Sequence, residues 1–283
     1  MKPPRDRDLG GPRASVGDAL REGAVCLRAL QHAEPRLEAE LLLVSATGRS
    51  REQLIAWPEQ ALTAETWACY RELLGRRSAG EPIAYILGRK AFWTLELRVE
   101  PATLIPRPET ELLVEIALEL LPADRRLSVA DPGTGSGAIA AALARERPGW
   151  HLIAIEREPQ TAGVAAANLR HLVPGNTCLL RGDWLAAIRP ATLDAVVSNP
   201  PYIRAGDPHL RQGNLRFEPL GALAAGADGL SAIRRIAAEA AVCLLPGGLL
   251  ILEHGFDQGA DVREILARLG YRGLETRRDL AGL

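Results

Sequence analysis

The segment VADPGTGSGAIA, residues 129–140, decides the fold, because it joins an apolar strand to a helix through a glycine-rich turn. Gly133, Gly135 and Gly137 permit a tight turn and the close approach of a ligand to the backbone. With Ala138 in the last place, the spacing also satisfies the G-x-G-x-x-G/A pattern of dinucleotide-binding turns. The segment predicts a cradle for a nucleotide-type cofactor. By itself it does not choose between cofactors, and a glycine-rich turn without a ligand stays open as the alternative.

Apolar runs of strand length alternate with helical patterns over the rest of the chain that follows this segment. Such alternation is typical of a parallel sheet with helices on both faces. The predicted strands are residues 127–132, 151–156, 176–183, 193–199, 248–254 and 271–277. The predicted helices are residues 136–147, 159–172, 231–244 and 258–269. The fold class is therefore α/β, with a doubly wound, mostly parallel, Rossmann-like sheet.

The chain before this sheet has a different pattern. Residues 1–13 are rich in proline, glycine and charge, which predicts a flexible tail. Apolar residues at helical spacing then predict a small all-helical domain over residues 14–80. Across residues 81–105 the period changes toward two, beginning with Ile83, Tyr85 and Leu87, and a linking β-hairpin is expected there. The α/β domain then takes residues 106–283.

The composition excludes several classes of protein. Hydrophobic residues make up 47% of the 283 residues and charged residues 24%, as in an ordinary soluble globular protein. A formal net charge of −1 gives no overall attraction to nucleic acid or to an anionic membrane. The four cysteines form no C-x-x-C pair and the histidines show no ligand spacing, so no metal site is predicted. No apolar run approaches the ~20 residues of a membrane span and the first residues lack a signal-peptide core, which favours the cytoplasm.

Polar side chains end the next two predicted strands. Glu156 follows the glycines at about twenty residues, where a carboxylate can accept hydrogen bonds from both ribose hydroxyls. An ion pair of Glu156 with Arg157 is the structural alternative. Asp183 and Trp184 end the third strand. At this place the Trp184 ring can flank an adenine and the Asp183 carboxylate can bind the adenine amino group. The alternative that Trp184 only packs in the core stays open. Together these residues indicate an adenosine-containing cofactor.

The segment NPPY, residues 199–202, ends the fourth predicted strand beside the glycine turn. Its prolines make a stiff, extended exit from the strand. The side-chain carbonyl of Asn199 and the backbone carbonyl of Pro200 can both accept hydrogen bonds from one planar NH2 group. The ring of Tyr202 offers a face on which a flat amide or base can lie. Such a site favours the positive charge that grows on an attacking nitrogen, which indicates methyl transfer to an amide or an aromatic amine.

These segments resemble a known family: the class I S-adenosylmethionine-dependent methyltransferases, and within them the protein-glutamine N5-methyltransferases that modify peptide chain release factors. The resemblance runs from about residue 15 to residue 279. The segments that carry it are GEPIAYILGRKAFW, LIPRPETELLVE, DPGTGSGAIA, SNPPYI, RFEPLGAL and LLILEHG. NPPY alone is shared with DNA adenine methyltransferases, but NPPY together with IPRPETE and a helical leader domain is highly specific.

The resemblance implies methylation of the glutamine in the Gly-Gly-Gln motif of release factors, with the helical domain binding this protein substrate. It implies that Asn199, Pro200, Pro201 and Tyr202 hold the glutamine amide, with Asn199, Pro200 and Tyr202 as the catalytic set. The residues that it implies for S-adenosyl-L-methionine are Gly133, Thr134, Gly135, Ser136, Gly137, Glu156, Asp183, Trp184 and Asn199. A monomer that binds no nucleic acid directly is expected. The alternatives are a DNA adenine N6-methyltransferase and an inactive cofactor-binding scaffold.

Three positions depart from the family pattern. Pro132 stands where a branched aliphatic residue is usual and removes a backbone donor at the start of the glycine turn, so altered cofactor affinity is expected. Glu156 replaces the more usual aspartate and can make the same two hydrogen bonds. The chain ends at RRDLAGL, so the usual final strand is expected to be absent and the edge of the sheet incomplete.

Overall fold

The computed structural model describes residues 14–30, 34–279 and 282. The chain divides into two compact units, Met1–Leu87 and Gly88–Leu283. The predicted tail, residues 1–13, lies outside the described residues. Within the residues described, no helix is both long enough and apolar enough to span a membrane.

In its described residues, the first unit is all-helical. Its helices are α1 (Val16–Leu27), α2 (Pro35–Thr47), α3 (Arg51–Ala56), α4 (Ala64–Ser78) and α5 (Ile83–Leu87). Ser15 and Ser50 begin α1 and α3 with capping boxes, in which a side chain three residues later returns the hydrogen bond. Gly48 ends α2 in the left-handed conformation at φ 67°. The core that holds these helices together includes Leu27, Leu42, Leu43, Leu54, Tyr70 and Leu74.

The prediction that residues 83–87 begin a β-hairpin is wrong, because they form helix α5. The segment IAYIL is apolar at every position, so its sequence shows no alternation that would distinguish a strand from a helix. Its backbone turns at once, with N–H groups of Tyr85 and Ile86 donating to Pro82 O at 3.0 and 3.2 Å. The hairpin itself is present but shorter, with β1 (Arg89–Phe92) antiparallel to β2 (Leu95–Arg98).

The second unit is built on five parallel strands in the order β5-β4-β3-β6-β7. They are β3 (Ser128–Pro132), β4 (His151–Glu156), β5 (Thr177–Arg181), β6 (Leu193–Ser198) and β7 (Leu244–Leu252). The helices are α6 (Glu111–Leu120), α7 (Ala138–Glu146), α8 (Pro159–Leu172), α9 (Ser231–Cys243) and α10 (Gly259–Arg268). Strand β3 lies between β4 and β6, so the order of strands reverses there, and such a reversal opens a crevice at the carboxyl ends.

Apolar cores cover both faces of this sheet. One core includes Leu143, Trp150, Leu152 and Leu169, and thus side chains of α7 and α8. The other includes Leu193, Val196, Ile236 and Ala240, and thus side chains of α9. The predicted α/β class is therefore confirmed, and the predicted helices of this sheet and its first five predicted strands lie within four residues of the observed bounds.

The sixth predicted strand is wrong, because residues 271–277 form neither strand nor helix. Gly270 and Gly273 adopt positive φ angles of 87° and 65°, which interrupts an extended run. The segment is held by side chains instead: the Tyr271 hydroxyl donates to Ala237 O at 2.8 Å, and Arg277 pairs with Glu119 at 2.5 Å. In the described part of the chain, β7 is therefore an edge of the sheet.

Candidate active site

A cavity of about 700 Å³ opens at the carboxyl ends of the central strands, wholly within the second unit. This volume lies in the range of small-molecule sites. Of the residues that the sequence singles out, the walls include Gly133, Thr134, Gly135, Ser136, Glu156, Asp183, Trp184, Asn199 and Pro201. Gly137, Pro200 and Tyr202 are not on the walls. The structure thus brings the ends of β3, β4, β5 and β6 to one space.

The glycine turn is a left-handed bend after β3. Gly133, Gly135 and Gly137 have φ angles of 75°, 58° and 85°, which residues with a side chain rarely adopt. The backbone N–H groups of Gly133 and Thr134 both donate to Ile155 O, at 2.8 and 3.0 Å, and so fasten the turn to β4. The turn therefore presents backbone, without side-chain bulk, to the cavity.

Asp131 lies beneath this turn and is almost fully buried, at 1% exposure. Its Oδ2 accepts hydrogen bonds from Thr134 Oγ1 at 2.6 Å and from Ala140 N at 3.2 Å. Its Oδ1 is buried and has no hydrogen-bond partner in the described structure. Burial raises the pKa of Asp131 to about 7. The site therefore holds one unsatisfied acceptor directly behind the glycine bend.

Glu156 ends β4 at the cavity and does not form the predicted alternative pair with Arg157, whose guanidinium instead contacts Glu158 at 3.0 Å. The Glu156 carboxylate accepts hydrogen bonds from Gly135 N at 3.1 Å and from Glu158 N at 3.0 Å, one on each oxygen. A carboxylate has about four acceptor positions. Glu156 thus braces the glycine turn and keeps capacity for two further donors, such as the hydroxyls of a ribose.

Asp183 and Trp184 follow β5, and both line the cavity. The Asp183 carboxylate pairs with Arg235 at 2.7 Å and lies 3.8 Å from Arg157. A hydrogen bond from Asp183 to an adenine amino group would therefore share the carboxylate with these two arginines. Trp184 adopts a positive φ of 52° and packs partly against the core around Ile236. Its ring also lies over Gly133, so it serves as both core filler and cavity wall.

Pro132 fits the sheet with little loss of hydrogen bonding. Its carbonyl faces β6, where it accepts from Ser198 Oγ at 2.6 Å. Because the N–H and C=O of one strand residue point to the same side, the missing donor is also on the β6 side. The paired register of β3 with β6 already ends at Ala130 and Val196. The proline therefore removes a donor where the ladder has stopped.

The NPPY turn carries a hydrogen-bond network that the sequence did not reveal. Asn199 Nδ2 donates to Thr110 Oγ1 at 2.8 Å, and Thr110 Oγ1 donates to Glu253 Oε2 at 2.8 Å. The Tyr202 hydroxyl donates to Glu253 Oε1 at 3.1 Å. Thr110 precedes α6 and Glu253 follows β7, within the segments IPRPETE and LLILEHG that carry the family resemblance. Neither Thr110 nor Glu253 is among the site residues that the sequence predicts.

Burial perturbs both titratable members of this network. It raises the pKa of Glu253 above the usual range of a glutamate, although hydrogen bonds from Thr110, Tyr202 and Asn199 lower it in part. Burial and the nearby Glu253 also raise the pKa of Tyr202 far above its ordinary value, so this hydroxyl keeps its proton. Tyr202 is further anchored through its carbonyl, which accepts from Gln258 Nε2 at 2.9 Å.

The loop between β6 and α9 covers part of the cavity. Pro219, Gly221 and Ala222 of this loop line it. The carboxylate of Glu218 is fully buried, accepts a hydrogen bond from Ile105 N at 3.0 Å and forms an ion pair with Arg107. This pair fastens the RFEPLGAL segment to the IPRPETE segment. No group of three or more potential metal ligands occurs in the part of the chain that the structure describes.

Comparisons with known proteins agree with this architecture. The family described as "PrmC N-terminal domain" matches residues 18–88, and the family described as "Methyltransferase small domain" matches residues 109–213. Among solved structures, the hMettl16 catalytic domain in complex with a MAT2A 3′UTR hairpin superposes with a TM-score of 0.52 at 17% identity, over 71% of this chain and 74% of that one. This likeness concerns the fold alone.

Curated relatives match most of the chain. The release factor glutamine methyltransferase of Pseudomonas aeruginosa is 50% identical over 247 residues, which cover 87% of this chain and 89% of the relative. The release factor glutamine methyltransferase of Escherichia coli K12 is 46% identical over 260 residues, which cover 92% and 93%. That of Coxiella burnetii is 48% identical over 249 residues, which cover 88% and 89%. The chain belongs to the release factor glutamine methyltransferase family.

Proposed function

We propose that the protein transfers a methyl group from S-adenosyl-L-methionine to the side-chain amide nitrogen, N5, of the glutamine in the Gly-Gly-Gln motif of peptide chain release factors. Relatives of this name are 46% and 50% identical over most of the chain. The observation that carries the proposal is the setting of Asn199. Its Nδ2 is committed to Thr110, so its carbonyl oxygen is the acceptor left for a substrate amide at the cavity.

The residues present fit S-adenosyl-L-methionine. The glycine turn gives a cradle without side chains, Glu156 has spare acceptor capacity, and Asp131 holds a buried oxygen without a partner. The cofactor-binding residues that we propose are Gly133, Thr134, Gly135, Ser136, Gly137, Glu156, Asp183, Trp184 and Asn199. When bound, this cofactor supplies an electrophilic methyl group on a sulfonium.

The residues of the NPPY turn would hold the substrate. The Asn199 side-chain carbonyl and the Pro200 backbone carbonyl accept the two hydrogens of the glutamine NH2, while the ring of Tyr202 packs against the amide plane. An amide nitrogen is a weak nucleophile, and two fixed acceptors favour the positive charge that it gains as the new N–C bond forms. The methyl–sulfur bond would break as the N–C bond forms, which leaves a neutral thioether, and the nitrogen would lose one proton to solvent water to give a neutral methylated amide.

Further features of the proposal concern the rest of the chain. We assign binding of the release factor to the helical residues 14–80 and the methyl transfer to residues 106–283. We also assign the reaction to a monomer in the cytoplasm that contacts no nucleic acid directly. The net charge of −1 supports the last point, because nucleic-acid surfaces attract strongly basic domains.

The test uses the purified chain with methyl-labelled S-adenosyl-L-methionine and three acceptors. These are an unmethylated release factor, the same release factor with its motif glutamine replaced by alanine, and duplex DNA containing adenine. We expect label on the first acceptor only. Label on DNA alone would favour a DNA adenine N6-methyltransferase, and cofactor binding without label on any acceptor would favour an inactive scaffold.

A further inference from the structure

Four side chains from three separated parts of the chain meet behind the NPPY turn. Asn199 and Tyr202 come from the turn, Thr110 from the start of α6, and Glu253 from the end of β7. The links Asn199–Thr110, Thr110–Glu253 and Tyr202–Glu253 measure 2.8, 2.8 and 3.1 Å. Thr110 is 4% exposed, which leaves its hydroxyl little access to solvent.

The direction of each hydrogen bond follows from Glu253. With Glu253 ionised, its carboxylate only accepts hydrogen bonds, so both hydroxyls that touch it donate. The Thr110 hydroxyl then donates its single hydrogen to Glu253. Toward Asn199, the Thr110 oxygen can therefore only accept a hydrogen bond. The Asn199 amide must therefore present its NH2 to Thr110, which turns Oδ1 the opposite way.

The orientation of this amide matters because its two ends have opposite chemistry. With Oδ1 toward a substrate NH2, Asn199 offers an acceptor. After a 180° flip it would offer a second donor, and two donors facing each other repel. Asparagine has no intrinsic preference between these states, since the two ends are nearly equal in shape.

We propose that Glu253 and Thr110 are positioning residues that select the substrate-accepting orientation of the Asn199 amide. This inference rests on the proposed function, because it assigns the acceptor end to the glutamine amide. Thr110 lines the cavity and Glu253 does not, but the proposed role requires no contact of either residue with the substrate or the cofactor. Tyr202 donates to the second oxygen of Glu253, so the same carboxylate also fixes the ring that packs on the amide.

The hydrogen-bond chain from Glu253 through Thr110 to Asn199 is called the relay below. Two nearly isosteric substitutions test it. Thr110→Val removes the hydroxyl and retains a branched side chain of similar size. Glu253→Gln adds a donor next to Thr110, which allows the relay to run in reverse and the Asn199 amide to flip. Because one pre-placed contact is typically worth about 100-fold in turnover, we expect a flipped or mobile Asn199 to lower kcat about 10- to 100-fold. The KM for release factor should change less than kcat, since Pro200 and Tyr202 keep their proposed contacts with the amide, and the cofactor Kd should stay within about threefold.

Two controls separate orientation from packing. Thr110→Ser keeps the hydroxyl and loses only a methyl group, so it should recover most of the turnover lost in Thr110→Val. Thr177→Val removes a hydroxyl that bonds Val173 O outside the relay, and it reports the effect of such a substitution on the fold alone. Circular dichroism and the melting temperature of each variant show whether it folds.

A spectroscopic readout tests the orientation without activity. The side-chain NH2 signals of Asn199 in an amide NMR spectrum are assigned by their absence in Asn199→Ala. We expect their hydrogen exchange to accelerate at least tenfold in Thr110→Val and to stay near the parent rate in Thr110→Ser. Unchanged exchange in Thr110→Val, or equal losses of kcat in the Ser and Val variants, would overturn the proposal. If the parent chain does not methylate release factor, the proposed function fails, and exchange still decides whether the relay holds the amide.

Discussion

A Cβ atom added to Gly133 would lie 2.8 Å from Cζ3 of Trp184, closer than carbon atoms in folded proteins approach. The nearest contact is a rigid indole ring, and the φ of Gly133 is 75°. Trp184 and Gly133 both line the cavity. The ring and the glycine turn therefore fit only as long as position 133 carries no side chain.

Gly133→Ala should weaken cofactor binding, because the alanine must strain the turn and push the Trp184 ring into the cavity. Backbone strain of this kind is worth about 1–3 kcal/mol, which corresponds to roughly 5- to 150-fold in Kd. Calorimetric titration with S-adenosyl-L-methionine measures it. Gly149→Ala is the matched control, since a Cβ there meets nothing within 4 Å. Equal affinities in the two variants would contradict the assigned contact.

Asn199→Ala should lower kcat by two decades or more, because it removes an acceptor from the reacting nitrogen. The cofactor Kd should change far less, since most of the cavity wall is untouched. Initial rates with saturating release factor give the answer. A kcat within threefold of the parent would show that the amide plays no part in the reaction.

Glu156→Ala should chiefly raise the cofactor Kd. The substitution removes acceptors for a ribose and also the brace on Gly135 N, which the carboxylate holds at 3.1 Å. Loss of such charge-assisted hydrogen bonds is worth about 1.5–3 kcal/mol, or roughly 10- to 100-fold in affinity. Calorimetry of the parent, Glu156→Ala and Glu156→Asp measures it, and aspartate should retain more affinity than alanine. Unchanged affinity in the alanine variant means that another residue binds the ribose.

Asp131 should make stability fall as pH rises from about 4 to 7. Burial raises its pKa to about 7 in the folded chain, from an ordinary value of 3.8. Between these pH values the folded state binds more protons than the unfolded state, and the slope of the unfolding free energy against pH is therefore negative. This contribution is greatest below the unfolded pKa and is lost above pH 7.

Urea unfolding of the parent and of Asp131→Asn from pH 5 to pH 8 tests this coupling. The unfolding free energy of the parent minus that of the variant should decline with pH, at a slope that corresponds to at most one bound proton, and should level off above pH 7. Subtracting the variant removes the contribution of the other titrating groups. A difference that is flat across this range, or that increases with pH, would show that Asp131 is already ionised at pH 5.

The glycine turn and the strands beside it could be predicted because their signals are local. VADPGTGSGAIA contains its own strand, bend and helix start, and five parallel strands are observed where apolar runs predict them. Ile83–Leu87 could not be assigned correctly, since a uniformly apolar segment fits a strand or a helix. The strand predicted over residues 271–277 was wrong because Gly273, with its positive φ, interrupts their weak alternation of apolar and polar residues.

The relay behind the NPPY turn was beyond sequence reasoning for a different reason. Thr110 and Glu253 stand 143 residues apart, and no local pattern links a threonine before one helix to a glutamate after a strand. Asn199, by contrast, belongs to a motif whose prolines restrict the backbone. The NPPY motif thus predicted Asn199 as the acceptor. The groups proposed to orient Asn199 could be identified only from the folded structure, where they lie next to each other.

The separation of Thr110 from Glu253 also orders the events of synthesis. The residues proposed to cradle the cofactor, apart from Asn199, fall between positions 133 and 184, whereas the relay needs Glu253. Chains emerge from the ribosome amino end first, and their early segments begin to fold before later ones exist. A nascent chain therefore contains most of the residues proposed to cradle the cofactor about seventy residues before it contains Glu253, a gap given by positions 184 and 253. The last part of the proposed site to be synthesised is therefore the part that orients Asn199.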